Sequence, residues 1–100
     1  MTKAQLNAVI HAPNRLRICA FLTPLQEAEF QVLRDELEVS DSVLSKHLKQ
    51  LEEAGYVAFR KDAVNGRQRM WANLTKSGRK AFSGHVAELT RIAGVLDNQG

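Results

Sequence analysis

The 100-residue sequence is poor in cysteine, proline and aromatic residues, with one, two and six of them. One cysteine excludes an intramolecular disulfide and is typical of a reducing compartment. No apolar run approaches the ~18 residues that would span a membrane. Residues 1–15 lack the long apolar core and the small-residue cleavage site of a signal peptide. We therefore expect a cytoplasmic protein with no membrane partner.

The side chains that carry catalytic or metal chemistry are also sparse. His11, His47 and His85 are far apart in the sequence, and none has a partner at metal-ligand spacing. Zinc needs several convergent ligands, so no metal site is predicted. Cys19 falls on the apolar side of its helix, where a buried, inert thiol is the common outcome. The sequence shows no nucleophile–base pair, glycine-rich phosphate loop or paired carboxylates, so we predict neither an enzyme nor a cofactor.

The charge that is present is unevenly distributed. Residues 1–40 carry four basic and five acidic side chains, residues 41–80 carry nine and four, and residues 81–100 carry one and two. The middle block therefore holds a net charge of +5 in a chain whose total is +3. Such asymmetry indicates a polyanionic partner, nucleic acid before membrane, although an ordinary solvated surface gives the same count. The length fits a single domain over residues 1–100.

Helical periodicity predicts three short helices before residue 40. The first covers residues 2–10, and the second runs from Pro13 to Thr23-Pro24. The third covers residues 29–39. The apolar positions of the three helices are predicted to be Leu6, Val9 and Ile10, then Leu16, Cys19 and Ala20, and finally Phe30, Val32, Leu33 and Leu37.

A fourth helix follows, with Ser40 as its N-cap and Gly55 as its left-handed stop. Its leucines fall within about 60° of one another around the helix axis. Ser42, Lys46, Lys49 and Glu53 lie opposite them, and Ser45 and Gln50 lie at the margins. Serine and amide side chains can read base edges, and lysines can reach guanine or phosphate. Two helices joined by a short turn, about residues 30–54, predict a helix-turn-helix. The apolar side holds Leu44, Leu48 and Leu51, and the candidate DNA-contacting residues are Ser42, Ser45, Lys46, Lys49 and Gln50.

After Gly55 the period changes to two, which predicts a hairpin around the turn-forming pair Asn65-Gly66. Four cations lie on or beside its tip: Arg60, Lys61, Arg67 and Arg69. A hairpin that follows a phosphate backbone or places an arginine in a narrow minor groove needs such a cluster. A solvated edge hairpin protected by charge would look the same in isolation.

The last helix is predicted from Thr75 to about residue 97, with an apolar stripe at heptad spacing. We expect the stripe to pack on the first helix near Phe82 and to reach a second copy of the chain further on. The residues predicted to form a homodimer are Val86, Leu89, Ala93 and Leu96 of this helix and Leu6, Val9 and Ile10 of the first helix.

The segment "LSKHLKQLEEAGYV", the basic hairpin and "WANLTKSGRKAF" together resemble the winged helix-turn-helix of MarR/ArsR-type transcriptional regulators. The resemblance implies a mainly helical α+β fold with a two-stranded β wing and a long terminal helix. Residues 41–54 would be the recognition helix, residues 56–74 the wing and residues 75–97 the dimerisation helix. It also implies sequence-specific binding to double-stranded DNA, usually by a homodimer that controls a promoter.

Two other functions fit the same fold: a protein-interaction module, and a protein that binds nucleic acid without sequence preference. The first would show no salt-dependent affinity for DNA, and the second would show affinity without a specificity ratio. The base-reading types Ser42, Ser45 and Gln50 favour the sequence-specific regulator, because a coating protein would more simply carry lysines. No small-molecule effector is predicted.

Overall fold

The computed structural model describes residues 6–99, and side chains are described for residues 6–94. The helices are α1 (Ala8–His11), α2 (Pro13–Leu22), α3 (Phe30–Leu37), α4 (Asp41–Glu53) and α5 (Lys76–Gln99). The strands are β1 (Ala28–Glu29), β2 (Val57–Val64) and β3 (Arg67–Leu74). The α+β fold with a wing and a long terminal helix, predicted from the sequence, is confirmed. None of the helices within the described range has the length and hydrophobicity needed to cross a membrane.

Helix α1 is shorter than predicted because Asn7 caps it. The Asn7 side-chain oxygen accepts hydrogen bonds from the backbone N–H groups of Val9 and Ile10, both at 3.0 Å. A side chain that satisfies these two N–H groups marks the start of a helix. The predicted portion at residues 2–5 lies outside the described residues.

Three of the predicted apolar positions are wrong. Leu6 before α1, Ala20 of α2 and Val32 of α3 are exposed, with Leu6 at 46% and Val32 at 47% of its surface. In α3 the buried pair is Leu33 and Leu37, which lie one turn apart on a single face. Val32 is one residue earlier and therefore about 100° around the helix from Leu33. In α2 the buried positions include Ile18, next to the correctly predicted Cys19.

The sheet contains a third strand that the sequence did not reveal. Strand β1 pairs antiparallel with β3, with Ala28 opposite Ala72 and Glu29 opposite Trp71. The strand order is β1-β3-β2. Two residues are too few to show an alternating pattern. The strand nevertheless brings the end of the α2–α3 connection against the wing.

The hairpin forms at the predicted turn. Val64 pairs with Arg67, and the two residues between them have positive φ angles, 53° at Asn65 and 78° at Gly66. Two consecutive positive φ angles are the signature of a type I′ turn, which matches the twist of the flanking strands. Strand β3 begins at this turn, two residues before the predicted start at Arg69.

The first turn of α5 is joined to the end of α4. The Thr75 hydroxyl donates to the backbone oxygen of Gly55 at 2.6 Å and accepts from the N–H of Gly78 at 2.9 Å. A Cβ on Gly78 would lie 2.1 Å from the backbone oxygen of Tyr56. Only glycine therefore allows the two segments to approach this closely.

The same turn of α5 also reaches the end of α2. The Arg79 guanidinium donates to the backbone oxygens of Thr23 at 2.6 Å and of Leu25 at 2.9 Å. These carbonyls follow the helix, where backbone acceptors lack intrahelical partners. The "LTKSGR" segment of the sequence thus locks α5 to both α2 and α4.

Candidate nucleic-acid interface

Helix α4 presents the predicted polar face to solvent. Its three leucines are each at most 1% exposed, while the polar residues on the other side are exposed. The Ser40 hydroxyl accepts from the N–H of Val43 at 3.2 Å and so starts the helix where predicted. The exposed candidate residues are Ser42, Ser45, Lys46 and Lys49.

Two arginines hold the helix-turn-helix together. Arg34 of α3 donates to the Asp41 carboxylate at the start of α4, with an N–O distance of 2.9 Å. Arg17 of α2 donates to the backbone oxygens of Glu36 at 3.2 Å and Leu37 at 3.4 Å. The carbonyls at the end of α3 are thereby satisfied, and the angle between α3 and α4 is supported from both sides of the turn.

Gln50 lies at the margin of the polar face, as its position on the helix predicts, and contacts α2. It is half-buried, and its side-chain oxygen accepts a hydrogen bond from Arg15 of α2. Arg15 also donates to the backbone oxygen of Val9 and lies 3.2 Å from Nδ1 of His47. Burial, followed by the charges of Arg15 and Lys46, lowers the pKa of His47. Gln50 therefore anchors α4 to α2 instead of pointing outward with the serines and lysines.

Arg60 in the wing is held by two carboxylates and a ring. Its guanidinium makes two hydrogen bonds to Glu27, at 2.6 and 3.1 Å, and one to Asp62 at 3.2 Å. Its central carbon lies 4.2 Å from the centre of the Trp71 ring, which is a cation–π contact. The hydrogen bond from Arg60 lowers the pKa of Glu27. The predicted DNA contact at Arg60 thus falls on a cation that is already neutralised.

The other three wing cations divide into two kinds. Arg69 donates to the Glu29 carboxylate at 2.6 Å and is half-buried. Lys61 and Arg67 are exposed, and neither has an ion-pair partner among residues 6–94. Of the predicted wing residues, these two have the greatest freedom to meet a phosphate.

An open groove of about 480 Å³ connects the recognition helix to the wing. Ser45 of α4, Arg67 and Arg69 of β3 and residues of α3 all line it. The complete lining is Glu29, Phe30, Gln31, Arg34, Ser45, Arg67, Gln68, Arg69 and Met70. The two DNA-contacting elements predicted separately from the sequence therefore share one surface.

The sequence did not indicate Glu27, Glu29, Arg15 or Arg34 as parts of this surface. Each forms a side-chain hydrogen bond with a residue between 7 and 40 positions away in the sequence. A signal existed only for Arg34, since Asp41 at the start of a helix is a common ion-pair acceptor.

The residues predicted to form a dimer lie in three environments. Leu6 and Val86 are 46% and 40% exposed, and Ala93 is exposed. Val9 and Leu89 are half-buried. Ile10 is completely buried in the core of the chain, so it offers no surface to a second copy. The side chain of Leu96 lies outside the described residues.

A polar cluster of Asn7, His11 and His85 lies between α5 and α1. His85 of α5 is fully buried and accepts a hydrogen bond from the backbone N–H of Asn7 at 2.8 Å. Its other ring nitrogen is 3.3 Å from Nδ1 of His11. Burial, followed by the charge of His11, lowers the pKa of His85. No group of three or more potential metal-ligating side chains occurs in the described part of the chain.

Cys19 is buried as predicted, and burial raises the pKa of its thiol to about 11. A thiol with so high a pKa is scarcely ionised near neutrality, and the thiolate is the reactive form. Cys19 is therefore a packing residue of α2.

Comparison with known proteins supports the same interpretation. Residues 14–93 match the family described as a winged helix DNA-binding domain. An uncharacterized protein of Methanocaldococcus jannaschii is 35% identical over 79 residues, which cover 79% of this chain and 86% of the relative.

Solved structures share the fold. A transcriptional regulator homologue from Pyrococcus horikoshii is 27% identical, with a TM-score of 0.83 over 89% of this chain and 88% of that one. HlyU from Vibrio cholerae is 28% identical, with a TM-score of 0.65 over 75% and 77% of the two chains. A MarR-family structure from Enterococcus faecalis, 18% identical with a TM-score of 0.74, shows the fold alone over 92% of this chain and 82% of that one. The chain belongs to the winged helix DNA-binding domain family.

Proposed function

We propose that the protein is a cytoplasmic homodimer, which binds specific sites in double-stranded DNA and regulates transcription at those sites. The observation that carries this proposal is the shared groove, which is lined by Ser45 of α4 and by Arg67 and Arg69 of the wing. A helix and a wing that meet on one surface can contact the major groove and the neighbouring backbone at the same time.

The contacts on α4 follow from its side chains. Ser42 and Ser45 are short and exposed, so they can reach base edges without holding the helix away from the groove. Lys46 and Lys49 are exposed and reach further, to guanine or to phosphate. Lys61 and Arg67 extend the same positive surface along the wing.

The homodimer is supported by the shape and the exposed apolar surface of α5. The helix has 24 residues, which makes it about 36 Å long. Val86 remains 40% exposed and Leu89 half-exposed, on the side that bears Phe82 closer to the core. A self-complementary patch of this kind suits a two-fold contact. Two copies would read an inverted repeat with half-sites about 34 Å apart.

DNA binding is tested by selecting bound duplexes from a random library. The most strongly selected duplex is then titrated with the protein at several salt concentrations. We expect a selected motif and a slope of log affinity against log salt that grows by ~0.9 for each phosphate contact. Ser45→Ala should relax the motif, because a base contact is worth ~1–3 kcal/mol against the wrong base. A flat salt response would contradict DNA binding, and a steep slope without a selected motif would indicate a non-specific coating protein.

The dimer is tested by Leu89→Asp, with Ala87→Asp as the matched control on the exposed opposite side of α5. Sedimentation should show a monomer for Leu89→Asp and a dimer for Ala87→Asp and the unchanged chain. Affinity for an inverted repeat should fall for Leu89→Asp alone, while thermal unfolding confirms that the variant is folded. A wild-type monomer that binds an isolated half-site tightly would overturn this part of the proposal.

A further inference from the structure

The groove between α4 and the wing contains a carboxylate, which is unexpected on a surface that meets DNA. Three arginines line the groove, and Glu29 is the one acidic side chain among its lining residues. Arg34 is paired with Asp41, so its charge is already partly neutralised. The remaining local charges are Arg67 and the pair formed by Glu29 and Arg69.

Glu29 is held firmly in this position. It belongs to β1, where it lies opposite Trp71 in the ladder with β3. Its carboxylate accepts from Nη1 of Arg69 at 2.6 Å, and the two side chains are 23% and 34% exposed. The pair is therefore partly shielded from water, where a charge-assisted hydrogen bond is stronger than at a fully exposed site.

The pairing also limits what Arg69 can do. Nε of Arg69 is enclosed and has no hydrogen-bond partner among the described residues. To reach a phosphate, the guanidinium would have to leave Glu29, and the carboxylate would then face the phosphate uncompensated. Arg69 is thus restrained beside the DNA surface and is not a freely moving cation.

Duplex DNA presents one negative charge for every ~1.7 Å of its axis, whatever its sequence. A sequence-independent complex rests on phosphate contacts alone, so it takes the arrangements that bring most phosphates into the groove, where the carboxylate repels them. At the correct site, base contacts fix the position of the helix and therefore of the DNA backbone, so the repulsion is limited to that one arrangement. The repulsion therefore lowers the first affinity more than the second, and specificity is the ratio of the two.

We propose that Glu29 is a specificity-determining residue, which restrains Arg69 and opposes phosphate in the groove so that sequence-independent binding to double-stranded DNA is weak. This inference rests on the proposed function. It assigns Glu29 a role in discrimination between duplexes, beyond its part in the sheet.

The test compares Glu29→Gln with the unchanged chain on the selected duplex and on a random-sequence duplex of equal length. Glutamine keeps the shape and a hydrogen-bond acceptor for Arg69 but removes the charge. Affinity for the random duplex should rise on the order of three- to tenfold, and the salt slope should steepen by up to ~0.9. Affinity for the selected duplex should rise less, so the specificity ratio falls.

Glu36→Gln is the matched control, because it removes the same charge from α3 on the side that faces α2. Glu36 is exposed and lies beside Arg17 and Phe21, away from the groove. We expect its random-duplex affinity to change less than twofold. Glu29→Asp, which restores the charge, should return random-duplex affinity toward that of the unchanged chain.

Equal effects of Glu29→Gln and Glu36→Gln would overturn the inference, because net charge would then explain both. A weaker Glu29→Gln complex with an unchanged salt slope and a lower unfolding temperature would also overturn it, since Glu29 would then be structural. If the unchanged chain binds no duplex at all, the proposed function itself fails.

Discussion

Helix α4 and the wing both carry cations toward the candidate DNA surface, but their side chains are positioned by different forces. Leu44, Leu48 and Leu51 of α4 are at most 1% exposed, so burial on one side fixes the direction of the other. In the hairpin, every residue from 60 to 68 is exposed. That part of the wing depends on its ladder, its turn and the ion pairs of Arg60.

The difference separates two kinds of basic residue. Lys49 on α4 has no ion-pair partner among residues 6–94, and the helix carries it to the surface. Arg60 in the wing is bound to Glu27 and Asp62 and stacked on Trp71. Lys49 is available to contact a partner molecule, whereas Arg60 also stabilises the structure of the wing.

The largest expected effect comes from removing the burial that positions α4. Leu48→Ala should lower the free energy of unfolding by about 2–5 kcal/mol, because it leaves a cavity under the helix. Val64→Ala in the wing, at a residue 37% exposed, should change it by less than about 0.5 kcal/mol. Urea denaturation of both variants measures the contrast. Similar losses would show that the wing contributes as much burial as the helix.

A second comparison concerns the two kinds of cation. Lys49→Ala should reduce the salt slope of DNA binding by about one phosphate contact, ~0.9, and weaken affinity several-fold. Arg60→Ala should change the slope less, because Arg60 is already neutralised by carboxylates. Anisotropy titrations at four salt concentrations measure both slopes. Equal changes would mean that Arg60 exchanges its carboxylates for phosphate on binding.

The two turns provide a third comparison. Glu38, between α3 and α4, has a φ of 56°, and Asn65 at the hairpin tip has a φ of 53°. Asparagine tolerates this conformation, whereas glutamate is strained in it. Glu38→Gly should therefore raise the free energy of unfolding by about 0.5–1 kcal/mol. Asn65→Gly should be nearly neutral in the same denaturation assay, and a loss of stability in Glu38→Gly would show that its side chain has a compensating role.

The smallest expected effect is a difference in pH response. Folding lowers the pKa of His47 on α4 and of His85 on α5 below 6.5, the usual value. The unfolded chain therefore binds protons first, and stability falls as the pH drops below about 6.5. The pKa of Glu27, held by Arg60, is lowered from 4.5, so the contribution of the wing is lost only in more acidic solution.

The pH response is measured as the urea midpoint between pH 7.5 and pH 5.5. His47→Gln should reduce the slope in this range, and Glu27→Gln should leave it unchanged. An unchanged slope in both His47→Gln and His85→Gln would show that neither histidine is linked to folding.

The elements that the sequence predicted well are those determined by neighbouring residues. The leucine spacing of α4, the Ser40 cap and the Asn65-Gly66 turn are all local patterns. The exposure of Lys46 and Lys49 followed directly from that spacing.

The features that the sequence missed depend on contacts between distant segments. Strand β1 exists because β3 pairs with it, and Gln50 turns inward because Arg15 is there to donate to it. Ile10 was expected on a dimer surface, but α1 places it in the core. Hydrophobic periodicity cannot show such contacts, because each depends on a segment elsewhere in the chain.

A small rotation of α5 about the close approach at Gly78 would move the far end of the helix by a much larger distance than its start. The first turn of α5 is fastened to the end of α4 and to the end of α2, so this root sets the direction of the rest of the helix. A pivot of about 5° at this root would carry the far end of a helix about 36 Å long through about 3 Å. That displacement is close to the ~3.4 Å rise of one base pair. In the proposed dimer, a single side chain inserted at Gly78 would thus be enough to change the spacing between half-sites that two recognition helices can reach.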